Sequence, residues 1–297
     1  MSDVEPTLLR RLELTVLRRV DGLLQGDYQG LLPAMGWDSG DARPYAIGDD
    51  VRRIDWTLTA RTNEPHVRTT VADRELEVTF VVDMSSSMAF GTGLHEKHEL
   101  AAAIVGTLGL VAVRGGNRVG ALMADSGGGR VIPPRSGREH LYRILVQLQE
   151  PARSGEAFAL SEALNRAGRV AKRRGMIVVV SDFLEADEWD RVLRAISDRH
   201  TVLAVEVVDP REMEVPPVGV LALVDPETGK RRRIDTNSAK LRDRFKEAAK
   251  EQRERIAAQI ASAGADHLTV RTDEDWVPAL VKHMELTRRR ARQGART

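Results

Sequence analysis

Two runs of apolar, mostly β-branched residues, Val78-Thr79-Phe80-Val81-Val82 and Met176-Ile177-Val178-Val179-Val180, constrain this chain more than any other feature. Neither run alternates with polar residues, so both faces of each strand must be covered. Central strands of a parallel sheet with helices on both sides read in this way. Each run ends in an acid, Asp83 and Asp182 respectively. In open α/β sheets ligands sit beyond the carboxyl ends of strands, where the strand order reverses, so the two acids are expected to converge there. Further strand-length runs at 119–123, 202–208 and 267–270 alternate with helical patterns at 96–113, 138–148, 158–173, 189–197, 239–263 and 276–290. This alternation predicts an α/β fold, a Rossmann-type, mainly parallel sheet flanked by helices.

The regime changes near Glu75. Residues 1–74 read as an N-terminal helix over 7–24 followed by a small β-rich appendage, because 26–73 is crowded with Gly, Asp, Pro and Arg. Residues 75–287 form the α/β domain, decorated by a hairpin whose arms are 219–224 and 231–235. Residues 288–297 read as a basic, disordered tail.

Composition removes several function classes. Lys plus Arg is 45 against 44 for Asp plus Glu, a net charge of +1 over 297 residues, so no overall field favours nucleic acid as a partner. The absence of cysteine excludes disulfides, thiolate zinc sites and cysteine nucleophiles, and fits a reducing, cytoplasmic setting. No apolar run approaches the roughly 18 residues of a membrane span.

The sharpest local motif is Asp83-Met84-Ser85-Ser86-Ser87. A strand-end carboxylate followed at alternate positions by hydroxyls can present Asp83, Ser85 and Ser87 to one point, and Asp182 would join them from a neighbouring strand. This all-oxygen set suits a hard divalent ion such as Mg²⁺ rather than zinc. The plainer alternative is that the serines cap the turn and Asp83 is a solvated strand-end acid. His95 and His98 read as a solvated first helical turn, and the arginine runs at 231–233 and 288–290 as solvated charge. The sequence contains no P-loop, no Gly-x-Ser-x-Gly elbow and no Asp-x-Asp start.

Asp-x-Ser-x-Ser after an apolar strand, with a later strand ending in Asp, resembles the von Willebrand factor A fold and its metal-ion-dependent adhesion site. The resemblance is closer to the bacterial family catalogued as domain of unknown function 58. It is carried by Arg43-Pro44-Tyr45-Ala46-Ile47-Gly48-Asp49-Asp50-Val51-Arg52-Arg53-Ile54-Asp55-Trp56 with Thr59-Ala60-Arg61, and downstream by Ser181-Asp182-Phe183, Val208-Asp209-Pro210-Arg211-Glu212 and Asp225-Pro226-Glu227-Thr228-Gly229. The adhesion-site pattern also wants a threonine before the helix that precedes the Asp182 strand. Here that loop reads Ala152-Arg153-Ser154-Gly155-Glu156-Ala157-Phe158 and has none, so the expectation is a degenerate site that holds Mg²⁺ weakly or not at all. In its place, Arg153 could receive a partner's carboxylate directly as a bidentate pair.

The resemblance implies a non-enzymatic adaptor that partners a MoxR-type AAA+ ATPase in the assembly or maturation of other proteins. Arg52, Arg53 and Asp55 are candidate docking residues. A second reading of that block has its arginines tie the appendage to the main domain while Val51, Ile54 and Trp56 pack against it. The rival functions are a Mg²⁺-dependent hydrolase using Asp83 and Asp182, and a metal-free structural scaffold.

Overall fold

The computed structural model describes residues 42–46, 51, 54, 56–62, 64–68, 76–93, 95–125, 128–150, 158–185, 188–224 and 231–294. In chain order the elements are β1 (Ala42–Pro44), α1 (Trp56–Thr62), β2 (His66–Arg68), β3 (Glu77–Asp83), α2 (Lys97–Arg114), β4 (Arg118–Ala124), β5 (Arg130–Arg135), α3 (Arg138–Leu148), α4 (Leu160–Val170), β6 (Met176–Ser181), α5 (Trp189–Ser197), β7 (Thr201–Val208), α6 (Pro210–Met213), β8 (Val220–Val224), β9 (Arg231–Asp235), α7 (Ala239–Ser262), β10 (Asp266–Arg271) and α8 (Trp276–Gly294).

Six strands form one sheet in the order β10-β7-β6-β3-β4-β5. Every neighbouring pair is parallel except β4 with β5. The chain leaves β3 for β4 on one side and later places β6 on the other, so the order reverses between β3 and β6. This is the switch point at which α/β sheets bind ligands, and Asp83 and Asp182 flank it.

The covered strands have the burial that their composition demands. Phe80, Val81, Ile177, Val178, Val179 and Val180 are wholly inaccessible to solvent. Val78, Phe80 and Val82 join one core with α2, α3 and α8, whereas Val81, Ile177 and Val179 join a second core with α4, α5 and α7. The sheet is therefore the middle of three layers, and each buried large side chain contributes roughly 1.5–3 kcal/mol. Helix α2 is buried without a break from Leu100 to Val105. At Gly109 a β-carbon would collide with the Leu141 side chain, so the absence of one lets α2 and α3 pack closely.

Several expectations need correction. Strand β5, which contains Pro133 and Pro134, is not among the expected strands. It lies at the sheet edge, the position in a sheet that tolerates proline. Helix α8 continues to Gly294, into the segment expected to be a disordered tail, since Arg, Ala and Gln all sustain a helix and no breaker intervenes before the glycine. In the appendage, β1 and β2 do pair as antiparallel strands, but Trp56 begins a helix. Trp56 is 70% exposed and Val51 59%, so they do not pack against the main domain as expected; Ile54, half-buried, bridges to Val67. The hairpin of β8 and β9 is antiparallel as expected. The expected helix at 7–24, Arg52, Arg53, Asp55 and Arg153 lie outside the described residues. Among the described residues, no helix is long and apolar enough to cross a membrane.

Candidate functional site

The chain turns sharply off the end of β3. Asp83 Oδ1 accepts the backbone N–H of Ser85 at 2.8 Å, an Asx-type turn that leads into a 3₁₀ turn at Ser86–Ala89. Asp83 Oδ2 accepts the hydroxyl of Ser181, on the adjoining strand β6, at 2.6 Å. The same Ser181 hydroxyl accepts the Phe183 N–H at 3.0 Å. Asp83 and Asp182 are both buried, while Ser85 and Ser87 are partly exposed, with their hydroxyl oxygens 3.0 Å apart. The four residues expected to converge are thus together at the carboxyl edge. Burial, reinforced by the negative charge of Asp182, pushes Asp83 up to about 6 despite the bonds from Ser181 and Ser85, which act in the opposite direction.

Asp182 is held from several sides. Its Oδ1 accepts the Leu184 N–H at 3.1 Å, and its Oδ2 accepts from the Lys97 ammonium at 2.9 Å. Phe183, the next residue, has φ 54, the left-handed region that a bulky L-residue enters at a cost of about 1–3 kcal/mol. Its side chain is buried against Trp189, ring centroids 5.0 Å apart and tilted by 57°, and this packing holds the turn.

Lys97 is wholly buried at the first position of α2, and its ammonium also bonds Glu212. The other oxygen of Glu212 accepts from Arg253 at 2.8 Å, and Arg253 reaches Glu206 at 3.0 Å and the Asp182 carbonyl at 3.1 Å. His267 lies 2.9 Å from Glu206. Two fixed cations therefore lace Asp182, Glu206 and Glu212 together across β6, β7, α6 and α7.

A further buried acid closes the neighbouring loop. Asp209 accepts from the Thr92 hydroxyl at 2.6 Å, the Thr92 N–H at 2.7 Å, the Thr272 hydroxyl at 2.8 Å and the Arg211 N–H at 2.9 Å. Burial pushes this carboxyl up, but the donors outweigh it and hold the group below the ordinary range. Beside Thr92, Gly93 approaches Thr272 so closely that a β-carbon would lie 2.7 Å from its carbonyl.

The fit of this donor set to Mg²⁺ is mixed. Adjacent vertices of an octahedron with bonds of about 2.1 Å are about 3.0 Å apart, so Ser85 and Ser87 match one edge of a Mg²⁺ shell. The carboxylates do not match. Both oxygens of Asp83 and of Asp182 are engaged by protein donors, and the charge of Asp182 is already met by an ammonium that would repel a dication. Among the described residues, no group of three or more His, Asp or Glu side chains could hold an ion. Among the described residues, the set does not fit a divalent metal. His95 and His98, half exposed, sit beside Glu99 and Glu96, in keeping with a solvated first turn.

Lys97, Glu206 and Arg253 are not singled out by the sequence, and Glu212 enters only within the block that carries the family resemblance. One signal was available. A helix apolar on every side beyond its first turn packs into the core, so a lysine on the inward side of that first turn has to meet an acid.

The family described as "Protein of unknown function DUF58" matches residues 41–255. The chain belongs to this family. It is 46% identical over 288 residues to the uncharacterized protein Rv1480 of Mycobacterium tuberculosis (strain ATCC 25618 / H37Rv), covering 96% of this chain and 90% of that protein. Among solved structures, the conserved hypothetical protein BatB from Bacteroides thetaiotaomicron is 20% identical, with 71% of this chain and 97% of that chain covered and a TM-score of 0.49. The SpRpn10 VWA domain is 11% identical, with 71% and 94% covered and a TM-score of 0.40. The DUF58 chain described here is α/β in its own right, with its Asp-x-Ser-x-Ser turn at the carboxyl end of a central parallel strand.

Proposed function

We propose that this DUF58 protein is a non-enzymatic adaptor that binds a partner protein through the carboxyl edge of its sheet, around Ser85 and Ser87. The observation that carries the reading is the division of the site into two levels. The acids are buried and tied to protein donors, whereas Ser85 and Ser87 above them are partly exposed. A surface of this kind offers oriented polar contacts over a rigid base, which favours recognition without a large ordering cost.

The partner class follows from the family resemblance: a MoxR-type AAA+ ATPase, acting with this chain in the cytoplasm in assembly or maturation of other proteins. The test is affinity between the two purified proteins, for the native chain, for Ser86→Arg and Ser87→Arg at the edge, and for Lys172→Ala at the opposite, amino end of β6. Edge variants are expected to lose at least about tenfold in affinity and the distal variant none, because a misplaced charge at an interface core is costly. Equal binding by all variants, or none by the native chain, overturns the reading. Turnover of phosphate esters that depends on Asp83 and Mg²⁺ would favour the hydrolase instead.

A further inference from the structure

We propose that the Lys97 ammonium is the resident cation of this site, occupying the electrostatic role of a metal ion, so that the carboxyl edge works without a divalent metal. The inference rests on the reading of this edge as the binding edge, but its experiment contains no partner and stands or falls separately.

The position of Lys97 is the first argument. A cation in the first turn of a helix faces the positive end of the backbone dipole, so local electrostatics oppose it there. Complete burial adds the cost of taking a charge out of water, which only acids around it can offset. Lys97 has such acids, Asp182 and Glu212, and they come from just past the end of β6 and from α6, far away in sequence. Its backbone N–H bonds the Phe90 carbonyl at 3.0 Å, which fixes the helix start against the loop that leaves the Ser86–Ala89 turn. Lysine is therefore delivered to the acids by the same loop that carries Ser85 and Ser87.

The second argument is the state of Asp182. One oxygen serves the Leu184 N–H and the other serves Lys97, and Arg253 bonds the carbonyl of the same residue. A dication at Ser85 and Ser87 would have to share Asp182 with a tethered positive charge. An ammonium carried on the chain needs no binding step, cannot be removed by a chelator, and stays beside the carboxylate wherever the fold is intact. Glu212, linked to both Lys97 and Arg253, fixes the ammonium from the other side.

The experiment uses Mn²⁺, a hard, paramagnetic stand-in for Mg²⁺, titrated into the full chain while its free signal is followed by electron paramagnetic resonance. The proteins are the native chain, Asp83→Asn and Lys97→Met, and each fold is checked by circular dichroism. The native protein is expected to bind Mn²⁺ no more tightly than Asp83→Asn. Folded Lys97→Met, with Asp182 and Glu212 relieved of their cation, is expected to bind it at least about tenfold more tightly than native. Native uptake that Asp83→Asn abolishes overturns the inference. So does a folded Lys97→Met that gains no affinity, since something other than the lysine would then keep the ion out. If Lys97→Met fails to fold, the comparison of native with Asp83→Asn decides alone.

Discussion

The ammonium of Lys97 and the carboxylate of Asp182 meet at 2.9 Å with side-chain exposures of 0% and 2%. A pair so placed has repaid its desolvation only because its remaining hydrogen-bonding capacity is also met, by Glu212 on one side and Leu184 on the other. Removal of one partner leaves the other as an uncompensated buried charge. Lys97→Met is therefore expected to cost about 3–5 kcal/mol, and Asp182→Asn a comparable amount. The double variant should cost clearly less than the sum of the two. Urea unfolding of the four proteins checks this, and strict additivity would show that the two groups do not depend on each other.

Asp83 has the opposite problem, a carboxylate that burial discourages from ionising. Its folded value of about 6 lies above the ordinary value of about 3.9, so the folded state holds the proton more tightly than the unfolded chain does. The stability this confers is complete below about pH 4 and disappears as the pH rises through 6. Asparagine imitates the protonated form at every pH. The advantage of Asp83→Asn over the native protein should grow between pH 4 and 7 by at most roughly 3 kcal/mol, then level off. Parallel stability curves for the two proteins would contradict it.

His200 should respond in the reverse direction. The ring is buried, and among the described residues neither nitrogen has a hydrogen-bond partner. Burial, aided by Arg199 and Arg174, holds its pKa below the usual value, so folding favours the neutral ring. A lowered histidine gives stability that is present above about pH 6.5, the unfolded value, and is lost as the pH falls below it. His200→Leu should therefore be less sensitive than the native protein to acid between pH 7 and 5. Thermal melts across that interval measure the difference.

Trp56, 70% exposed, buries too little to matter for stability. Trp56→Ala is expected to change the unfolding free energy by no more than about 0.5 kcal/mol, the range of ordinary surface substitutions. A loss of 2 kcal/mol or more would place the ring in a packed interface.

What the sequence made legible follows from how strongly each residue is constrained. Strands β3 and β6 were readable because helices cover both their faces and the residues record it. The placement of Asp83 and Asp182 followed, since a parallel sheet sends its strand ends to one edge. Trp56 misled because an aromatic among charges looks like an anchor, yet nothing in composition distinguishes an anchor from a ring left in solvent. Lys97 was hidden for a different reason. Its acids lie 85 and 115 residues away in the chain, and only the fold brings them within reach.

The flank of the sheet formed by β5 has a consequence for how copies of the molecule meet. Pro133 and Pro134 carry no amide N–H, and the ladder to β4 shifts register between Val119 and Ala121, where Gly120 makes room for Pro134. A foreign strand arriving there finds an interrupted template and cannot zip along it. An interrupted template of this kind disfavours edge-to-edge polymerisation, and it lies along the side of the sheet and not at the carboxyl ends of the strands that present Ser85 and Ser87, so protection against self-association and exposure for recognition do not compete for the same residues.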